Sequence, residues 1–416
     1  MKDLSFTLRR GSLYVEDVPL AALAAQFGTP TYVYSTAALE GAWRRLADAL
    51  EGVPHRVCYS VKANGNLALL RLFTSWGSGF DVVSVGELAR VRKAGGRAAD
   101  TVFSGVGKTR EELLAAHAAG LGMFNVESAE ELWMLDAVGR ELGRPAPFAL
   151  RVNPDVDART HRYISTGLKT SKFGVAFDEA RELYRLARRR KGLVAVGVDC
   201  HIGSQLLDLR PLKAALEKVG GLYTLLRDED RLPLRILDVG GGLGIGYEGG
   251  PGADVERYGR MLARIARDTG AELVLEPGRS LVGSAGVLLT RVLYRKEGAK
   301  RTFVIVDAGM NDLLRPSLYE AHHEVRPVKV RRGTEVAVDV VGPVCESSDV
   351  LASNRRMVLP KQEDLLAVMD AGAYGMSMAS NYNARPRPAE VLVRGGAARV
   401  IREREKPEDL WRGEHA

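Results

Sequence analysis

The chain has 416 residues, of which 46% are hydrophobic and 27% charged, and its formal net charge is 59 − 52 = +7. Apolar residues in this proportion exclude a disordered chain, and the three cysteines are too few for a disulfide scaffold. No uncharged apolar run reaches about 18 residues and the N-terminus lacks a signal-peptide pattern, so we expect a cytoplasmic protein with reduced thiols.

The positive charge is spread along the chain, and its densest run, Arg188–Lys191, lies at the end of a predicted helix. Cations at a helix C-terminus complement the helix dipole, so a solvated helix end is the simplest interpretation of this run. The sequence contains no zinc-finger spacing and no ribonucleoprotein aromatic motif. We therefore predict neither a nucleic-acid partner nor a membrane partner.

Residues 1–30 predict short strands and a helix, and Ser35 is placed to cap a second helix. From Val57 onward, short apolar runs alternate with helical patterns, which indicates βα units around a parallel sheet. Eight strands with intervening helices over about 220 residues match a (β/α)8 barrel. The predicted strands are Arg56–Val61, Phe80–Ser84, Thr101–Ser104, Gly122–Val126, Pro147–Val152, Val194–His201, Arg235–Val239 and Glu272–Glu276.

After Gly283 the pattern changes to β-rich segments separated by Gly, Pro, Asn and Asp, without long helices. These segments predict a second, mostly antiparallel β domain. Because residues 1–30 are too few to fold alone, we assign them to that domain. The predicted fold class is α/β plus β, with a barrel at residues 31–282 and a β domain formed by residues 1–30 and 283–416.

Polar residues follow the C-terminal ends of the predicted barrel strands, where the chemistry of such barrels is located. A lysine, a histidine, an acid and a glycine turn would therefore converge on one mouth. In strand order these residues are Lys62, Asp81, Ser84, Ser104, Asn125, Asn153, His201, Gly240–Gly242 and Glu276.

Three of these residues have a chemical interpretation beside a structural one. Lys62, directly after an apolar strand, is either a partly desolvated amine that attacks aldehydes or a strand-end lysine that reaches solvent. His201 can stack on a flat ring or fill the barrel mouth. Glu276 can pair with a pyridinium nitrogen or form a structural ion pair.

The run Gly240-Gly241-Gly242 can turn backbone N–H groups together into an anion site, or form only a flexible loop. It is not a P-loop, because no Gly-Lys-Ser/Thr ends it. Gly278 and Arg279 follow the last barrel strand, where the guanidinium fork can bind an anion.

The cysteines and histidines complete the candidates. Cys345 lies in a polar loop and is a candidate proton donor, whereas Cys58 and Cys200 lie in apolar strands and are predicted to be inert core residues. The histidines, including the adjacent pair His322 and His323, show no metal-ligand spacing. We predict no metal site.

A Schiff-base lysine, a phosphate-binding glycine turn, a ring-stacking histidine and an acid for a ring nitrogen together describe a site for pyridoxal 5'-phosphate. At these positions the chain resembles the diaminopimelate decarboxylases, which pair a barrel with a β domain as alanine racemase does. The resemblance covers nearly the whole chain. Its motifs are Tyr59–Asn64, Gly79–Ser84, Arg151–Pro154, Ser171–Gly174, His201–Gln205, Gly240–Ile245, Glu276–Ser280, Arg315–Tyr319, Gly342–Asp349 and Gly372–Gly375.

The resemblance implies roles at the matching positions. Lys62 is similar to the lysine that binds the cofactor covalently, His201 to the histidine that stacks on its ring, and Glu276 to the acid that keeps the pyridine nitrogen protonated. Cys345 resembles the proton donor, which in this family reaches the site from the partner subunit of a homodimer. Further cofactor contacts are assigned to Asp81, Ser204, Gly240, Gly241, Gly242, Gly278, Arg279 and Tyr374, and substrate contacts to Arg279, Arg315, Tyr319, Glu346 and Tyr374.

Asp81 joins this set by its position alone, and Asn153 lies near it without a defined role.

The implied activity is decarboxylation of meso-2,6-diaminopimelate to L-lysine and CO2, the last step of lysine biosynthesis. Two arginines, Arg279 and Arg315, favour a substrate with a second carboxylate, because ornithine would leave a buried guanidinium unpaired. The alternatives are a decarboxylase of ornithine, arginine or carboxynorspermidine, and a non-catalytic homologue that binds the cofactor. The last predicts loss of Lys62 or Cys345, and both are present; a racemase is disfavoured because a motif for a second proton-transfer residue is lacking.

Overall fold

The computed structural model describes residues 6–157, 172–298 and 301–415. The chain forms two compact units, one of residues 1–44, 246–251 and 279–416 and the other of residues 45–245 and 252–278. We call them the β unit and the barrel unit. Ser171 of the resembling motifs and His161 lie outside the described residues. In the part of the chain that the structure describes, no helix is long and apolar enough to cross a membrane.

The chain starts with a three-stranded antiparallel sheet, two helices and a buried strand. These elements are β1 Phe6–Arg9, β2 Ser12–Val15, β3 Val18–Pro19, α1 Leu20–Phe27, β4 Thr31–Ser35 and α2 Thr36–Ala49. The Ser35 hydroxyl accepts a hydrogen bond from the Ala38 N–H at 3.0 Å, which confirms it as the cap of α2.

The barrel unit alternates strands and helices. Its elements are β5 His55–Ser60, α3 Leu67–Ser75, β6 Gly79–Val82, α4 Val85–Lys93, β7 Thr101–Phe103, α5 Arg110–Ala118, β8 Met123–Val126, α6 Ala129–Glu141, β9 Ala146–Asn153, β10 Val175–Ala176, α7 Phe177–Ala187, β11 Leu193–Asp199, α8 Arg210–Asp228, β12 Ile236–Asp238, α9 Val255–Thr269 and β13 Glu272–Leu275. Eight parallel strands, β5–β9 and β11–β13, close on themselves because β13 pairs with β5 and β8 with β9. The predicted barrel is confirmed.

Side-chain caps start several barrel helices directly after the strand ends. Ser84, Thr109 and Ser128 each accept a hydrogen bond from the backbone N–H of a glutamate three residues later, at 3.2, 3.2 and 3.1 Å. Because each cap fixes the first residue of its helix, it also limits how far the preceding strand extends. The caps therefore help to determine which residues lie at the barrel mouth.

The β unit continues with α10 Arg279–Val282, β14 Gly286–Glu297, β15 Thr302–Val306, α11 Arg315–Tyr319, β16 Val325–Pro327, β17 Glu335–Val341, β18 Val350–Val358, β19 Leu365–Val368, β20 Ala389–Arg394 and β21 Ala397–Arg402. Its main sheet has the order β18-β17-β15-β14-β4-β20-β21. The pairs β15–β17 and β4–β20 are parallel and the others antiparallel, so the predicted, mostly antiparallel sheet is confirmed.

Candidate active site

Polar side chains form a ring at the C-terminal ends of the barrel strands, and the alternation of side chains along each strand explains where they lie. Side chains two residues apart on a strand share a face, so a step of two from an apolar residue inside the barrel reaches a polar residue at its mouth. The steps lead from Cys58 to Ser60, Val102 to Ser104, Met123 to Asn125, Ala149 to Arg151, Ile236 to Asp238 and Val274 to Glu276.

In β11 a register shift between Ala195 and Gly197 moves this position by one residue, to Asp199.

Lys62 is held at the mouth by a buried carboxylate. Its Nζ lies 2.8 Å from Oδ2 of Asp81, which is fully buried, whereas the lysine side chain keeps 36% of its surface exposed. The Ser60 hydroxyl lies 2.8 Å from the same carboxylate oxygen. Asp81 therefore orients an amine that remains reachable from the mouth.

Glu276 is fixed by neutral donors. Its Oε1 accepts hydrogen bonds from the Asn125 amide at 3.1 Å and the Ser104 hydroxyl at 3.2 Å. The Asn125 amide also donates to Asp238 at 3.0 Å, and Asp238 accepts the N–H of Gly240 at 3.0 Å. One amide thus connects the acid after β13 with the glycine turn after β12.

Buried acids dominate the electrostatics of this mouth. Burial, and then the neighbouring Asp81 carboxylate, raise the pKa of Glu276 to about 7. Burial also raises the pKa of Asp199 and of Asp238 well above the ordinary range for aspartate. Arg151 is a nearby cation, but it already pairs with Glu127 at 3.1 Å. The mouth is therefore a place where an added positive group is stabilised.

We expect Glu276→Gln to stabilise the cofactor-free protein relative to wild type increasingly as pH rises. The folded-state pKa of Glu276, about 7, lies above its unfolded value. Wild type therefore loses stability between about pH 4.5 and about pH 7, by about 3 kcal/mol at most, and the amide does not. Urea unfolding at both ends of this range measures the difference. Glu130→Gln, at an exposed position, is the control measured in parallel, and a pH-independent difference between Glu276→Gln and wild type would contradict the expected result.

His201 is oriented as a neutral ring. Its Nδ1 accepts the N–H of Gly241 at 3.0 Å, so the proton of the neutral imidazole resides on Nε2. Desolvation, and then the charges of Arg151 and Lys62, lower the pKa of His201 well below its ordinary value. The backbone of the glycine turn therefore sets both the tautomer and the ring orientation.

The glycine turn is packed so closely against neighbouring atoms that Gly240 and Gly242 have no room for a Cβ atom. Gly240 has φ +65°, and a Cβ there would lie 2.6 Å from Nδ1 of His201; at Gly242, with φ +107°, it would lie 2.5 Å from the carbonyl oxygen of Gly203. The N–H groups of Gly240 and Gly241 already donate to Asp238 and His201. In this structure those two glycines position neighbouring side chains, and their assigned contact with phosphate stays a prediction.

We expect Gly240→Ala to weaken binding of pyridoxal 5'-phosphate about tenfold or more, because the methyl group would displace the His201 ring. The matched control is Gly249→Ala, where φ is +74° but nothing lies within 4 Å of the added atom. Equilibrium dialysis of cofactor against each variant measures the effect. Equal affinities of the two variants would contradict the assigned role of the turn.

In the β unit, Arg279 and Arg315 share an aromatic neighbour. Their guanidinium carbons lie 5.7 and 4.6 Å from the centroid of the Tyr247 ring, and Arg279 donates to the Tyr247 hydroxyl at 2.6 Å. Arg279 also lies 4.9 Å from the ring of Tyr374, whose φ of +56° is uncommon outside glycine. Both arginines are buried. The two predicted substrate arginines and Tyr374 therefore form one cluster.

Cys345 and Glu346 lie on an exposed loop between β17 and β18. The Cys345 N–H donates to the Asn383 side chain at 2.8 Å, and Glu346 accepts the Tyr382 hydroxyl. Beneath the loop, the Asp349 carboxylate accepts the N–H of Val344 at 2.6 Å. These hydrogen bonds hold the loop in shape, and Cys345 is exposed on it.

The structure separates the candidates into three groups. Lys62, Asp81, His201, Ser204, Gly240–Gly242, Glu276 and Gly278 belong to the barrel unit, and Arg279, Arg315, Tyr319 and Tyr374 to the β unit, as do Cys345 and Glu346 on their own loop. Asn153 ends β9, with its Oδ1 buried and without a hydrogen-bond partner among the described residues. Cys58 and Cys200 are buried, as expected. No group of three or more potential metal ligands occurs within the described ranges.

The polar ring also contains three residues that were not predicted from the sequence, Arg151, Asp199 and Asp238. For Arg151 and Asp238 the signal was present, because they follow apolar interior residues at a spacing of two. For Asp199 it was not, because the register shift in β11 has no signature in a single sequence. Tyr247 and His323 were also missed, because Arg279 lies 32 residues from Tyr247 and the Met369 carbonyl that orients His323 lies 46 residues away.

Comparison with known proteins assigns relatives to both units. The family model "Pyridoxal-dependent decarboxylase, pyridoxal binding domain" matches residues 36–283. Diaminopimelate decarboxylase of Pseudomonas aeruginosa is 51% identical over 410 residues, covering 99% of this chain and 98% of that protein. The Vibrio cholerae enzyme of the same name is 49% identical over 402 residues, 96% of each chain.

A crystal structure of diaminopimelate decarboxylase from Helicobacter pylori complexed with L-lysine is similar with a TM-score of 0.91 and 42% identity, covering 94% of this chain and 98% of that chain.

Proposed function

The chain belongs to the diaminopimelate decarboxylase family of pyridoxal-dependent decarboxylases, and we propose that it converts meso-2,6-diaminopimelate to L-lysine and CO2. Its cofactor is pyridoxal 5'-phosphate. When bound, the cofactor supplies an electron sink for the electrons of the bond broken at the α-carbon.

The residues at the barrel mouth fit this cofactor chemically. Buried carboxylates outnumber cations there, and Oδ1 of Asp81 is buried without a hydrogen-bond partner among the residues described. A ring that carries a proton on its nitrogen relieves this excess of negative charge. The accessible amine of Lys62 and the oriented ring of His201 complete a set suited to an aldehyde on an aromatic ring.

Each residue of the barrel mouth has one task in this proposal. Lys62 holds the cofactor through Nζ, and Asp81 keeps that nitrogen in place before the cofactor arrives. His201 would offer its neutral ring to the cofactor ring. The Glu276 carboxylate would hold a proton on the ring nitrogen, which would deepen the electron sink.

The observation that carries the substrate assignment is the missing counter-ion of Arg315. This arginine is 5% exposed, and within the described part of the chain it forms no ion pair with a carboxylate. An uncompensated buried charge costs several kcal/mol, so the pocket around it is suited to an anionic ligand. The distal carboxylate of meso-diaminopimelate supplies that charge, and ornithine has none to supply.

The substrate assignment is tested by comparing kcat/KM for meso-diaminopimelate, ornithine and arginine on the cofactor-loaded protein. We expect a preference of about 10³-fold or more for meso-diaminopimelate, because the other two leave a buried guanidinium unpaired. Similar values for all three substrates would overturn the assignment.

The proposal includes a homodimer located in the cytoplasm, in which Cys345 of one subunit completes the site of the other. Its support is the family resemblance together with the exposure of the Cys345 loop. In this arrangement the Cys345 thiol donates the proton that replaces the lost carboxylate, and Glu346 contacts the distal ammonium group of the substrate.

A further inference from the structure

Tyr247 and His323 contact the substrate arginines but have no task in the proposed reaction. Tyr247 accepts a hydrogen bond from Arg279 through its hydroxyl, and its ring lies 4.6 Å from the guanidinium carbon of Arg315. His323 lies 2.8 Å from Nη1 of Arg315 and packs edge-on to the Tyr247 ring, with centroids 5.3 Å apart. The four side chains form a single cluster within the β unit.

The hydrogen bonds fix the state of His323. Its Nδ1 lies 2.8 Å from the carbonyl oxygen of Met369, which can only accept, so Nδ1 carries the proton. Nε2 then presents a lone pair, which accepts the N–H of Arg315. If Nε2 were protonated as well, its N–H would face the N–H of Arg315, and neither group could accept a hydrogen bond. Burial, and then the charge of Arg315, lower the pKa of His323 to about 3, so the ring is neutral at working pH.

Neutral partners orient an arginine without cancelling its charge. A carboxylate in place of His323 would form an ion pair and satisfy Arg315 before any ligand arrived. Here one N–H of Arg315 is used by the imidazole, and the remaining N–H groups find no acceptor among the described residues. The Tyr247 ring accommodates both like-charged guanidinium groups through its π face.

We infer that Tyr247 and His323 are positioning residues that orient Arg279 and Arg315 for an anionic ligand group, and that the neutral His323 leaves the positive charge of Arg315 uncompensated. This inference rests on the proposed function, in which that group is the distal carboxylate of the substrate. The two residues set the specificity of the site through the arginines and do not touch the reacting atoms.

The test compares two ligands that differ in this carboxylate. L-Lysine retains the carboxylate that is distal in the substrate, whereas 1,5-diaminopentane has the same two amines and no carboxylate. Calorimetric titration of the cofactor-loaded protein gives both dissociation constants. For His323→Leu we expect L-lysine to bind roughly 10- to 100-fold more weakly and 1,5-diaminopentane to change by less than about threefold.

Two further variants separate positioning from folding. His323→Gln should retain the L-lysine affinity to within about threefold, because its amide oxygen can accept the Arg315 N–H. The neighbouring variant His322→Ala, whose parent residue pairs only loosely with Glu324 at 3.6 Å, is the matched control and should bind both ligands as wild type does. Rescue by glutamine is a result that loss of packing alone does not produce.

The inference is overturned if His323→Leu weakens both ligands equally or neither. Should that variant fail to fold by circular dichroism, Tyr247→Phe decides, since it keeps the ring and removes the acceptor for Arg279. An unchanged ratio of the two dissociation constants in Tyr247→Phe then rejects the inference. Failure of the proposed function looks different, because wild type itself would release no CO2 from meso-diaminopimelate.

Discussion

Replacing Lys62 with alanine is expected to abolish the absorbance band of the covalently bound cofactor at about 420 nm and to lower CO2 release about 10³-fold or more. The amine of Lys62 is held 2.8 Å from the Asp81 carboxylate and faces the mouth of the barrel. Alanine removes that amine and leaves the surrounding strands intact. The loss of activity should therefore come from the missing amine and not from misfolding.

Lys191→Ala serves as the control for the Lys62 variant, because Lys191 is exposed and lies at the end of the segment that follows α7. It should keep both the band and the activity. Far-ultraviolet circular dichroism of the two variants should match wild type. A persistent band of wild-type intensity in Lys62→Ala would show that another amine holds the cofactor.

Cys345→Ala is expected to lower turnover by roughly 10²-fold or more while leaving the absorbance of the bound cofactor unchanged. The thiol lies on an exposed loop whose shape depends on Asn383 and Asp349, and substitution of its side chain removes neither contact. The loss would therefore report a missing proton donor. Ser347→Ala, in the same exposed loop, is the matched control and should be fully active.

Mixing the Lys62→Ala and Cys345→Ala chains tests whether the site is shared between subunits. If each site takes its lysine from one subunit and its cysteine from the other, half of the randomly mixed dimers contain one intact site. Activity should then recover to about a quarter of the wild-type value. Absence of recovery, with exchange of subunits verified by mass spectrometry, would contradict a shared site.

Much of the barrel could be predicted because its sequence shows the patterns typical of buried strands and of amphipathic helices in turn. Apolar runs and amphipathic segments alternate along residues 55–275, and each predicted strand overlaps an observed one. The half-exposed strands β18 and β21 pair with the strands that precede them in the chain, and they were missed because they lack a clear alternating pattern. The buried strand β4 was missed because its partners, β14 and β20, are remote in the chain. Sheet pairing of this kind depends on tertiary contacts more than on local propensity.

In the candidate site, too, the positions of some residues could be predicted from the sequence, whereas their contacts could not. Lys62 and Glu276 could be placed from the sequence because Lys62 lies two residues after β5 and Glu276 directly follows β13. The hydrogen bond from Arg315 to His323 could not, because the tautomer of the imidazole depends on the Met369 carbonyl, 46 residues away in the chain. The sequence pattern predicts which residue types lie at the end of a strand. The orientation of each side chain depends on neighbours that are brought together only by folding.

The central claim is that this chain removes one carboxylate of meso-diaminopimelate and keeps the other. The most direct measurement quantifies CO2 and L-lysine formed by the purified, cofactor-loaded protein from meso-diaminopimelate. We expect equal molar amounts of CO2 and L-lysine. Consumption of the substrate without CO2, as a racemase would produce, or CO2 release without L-lysine would contradict it.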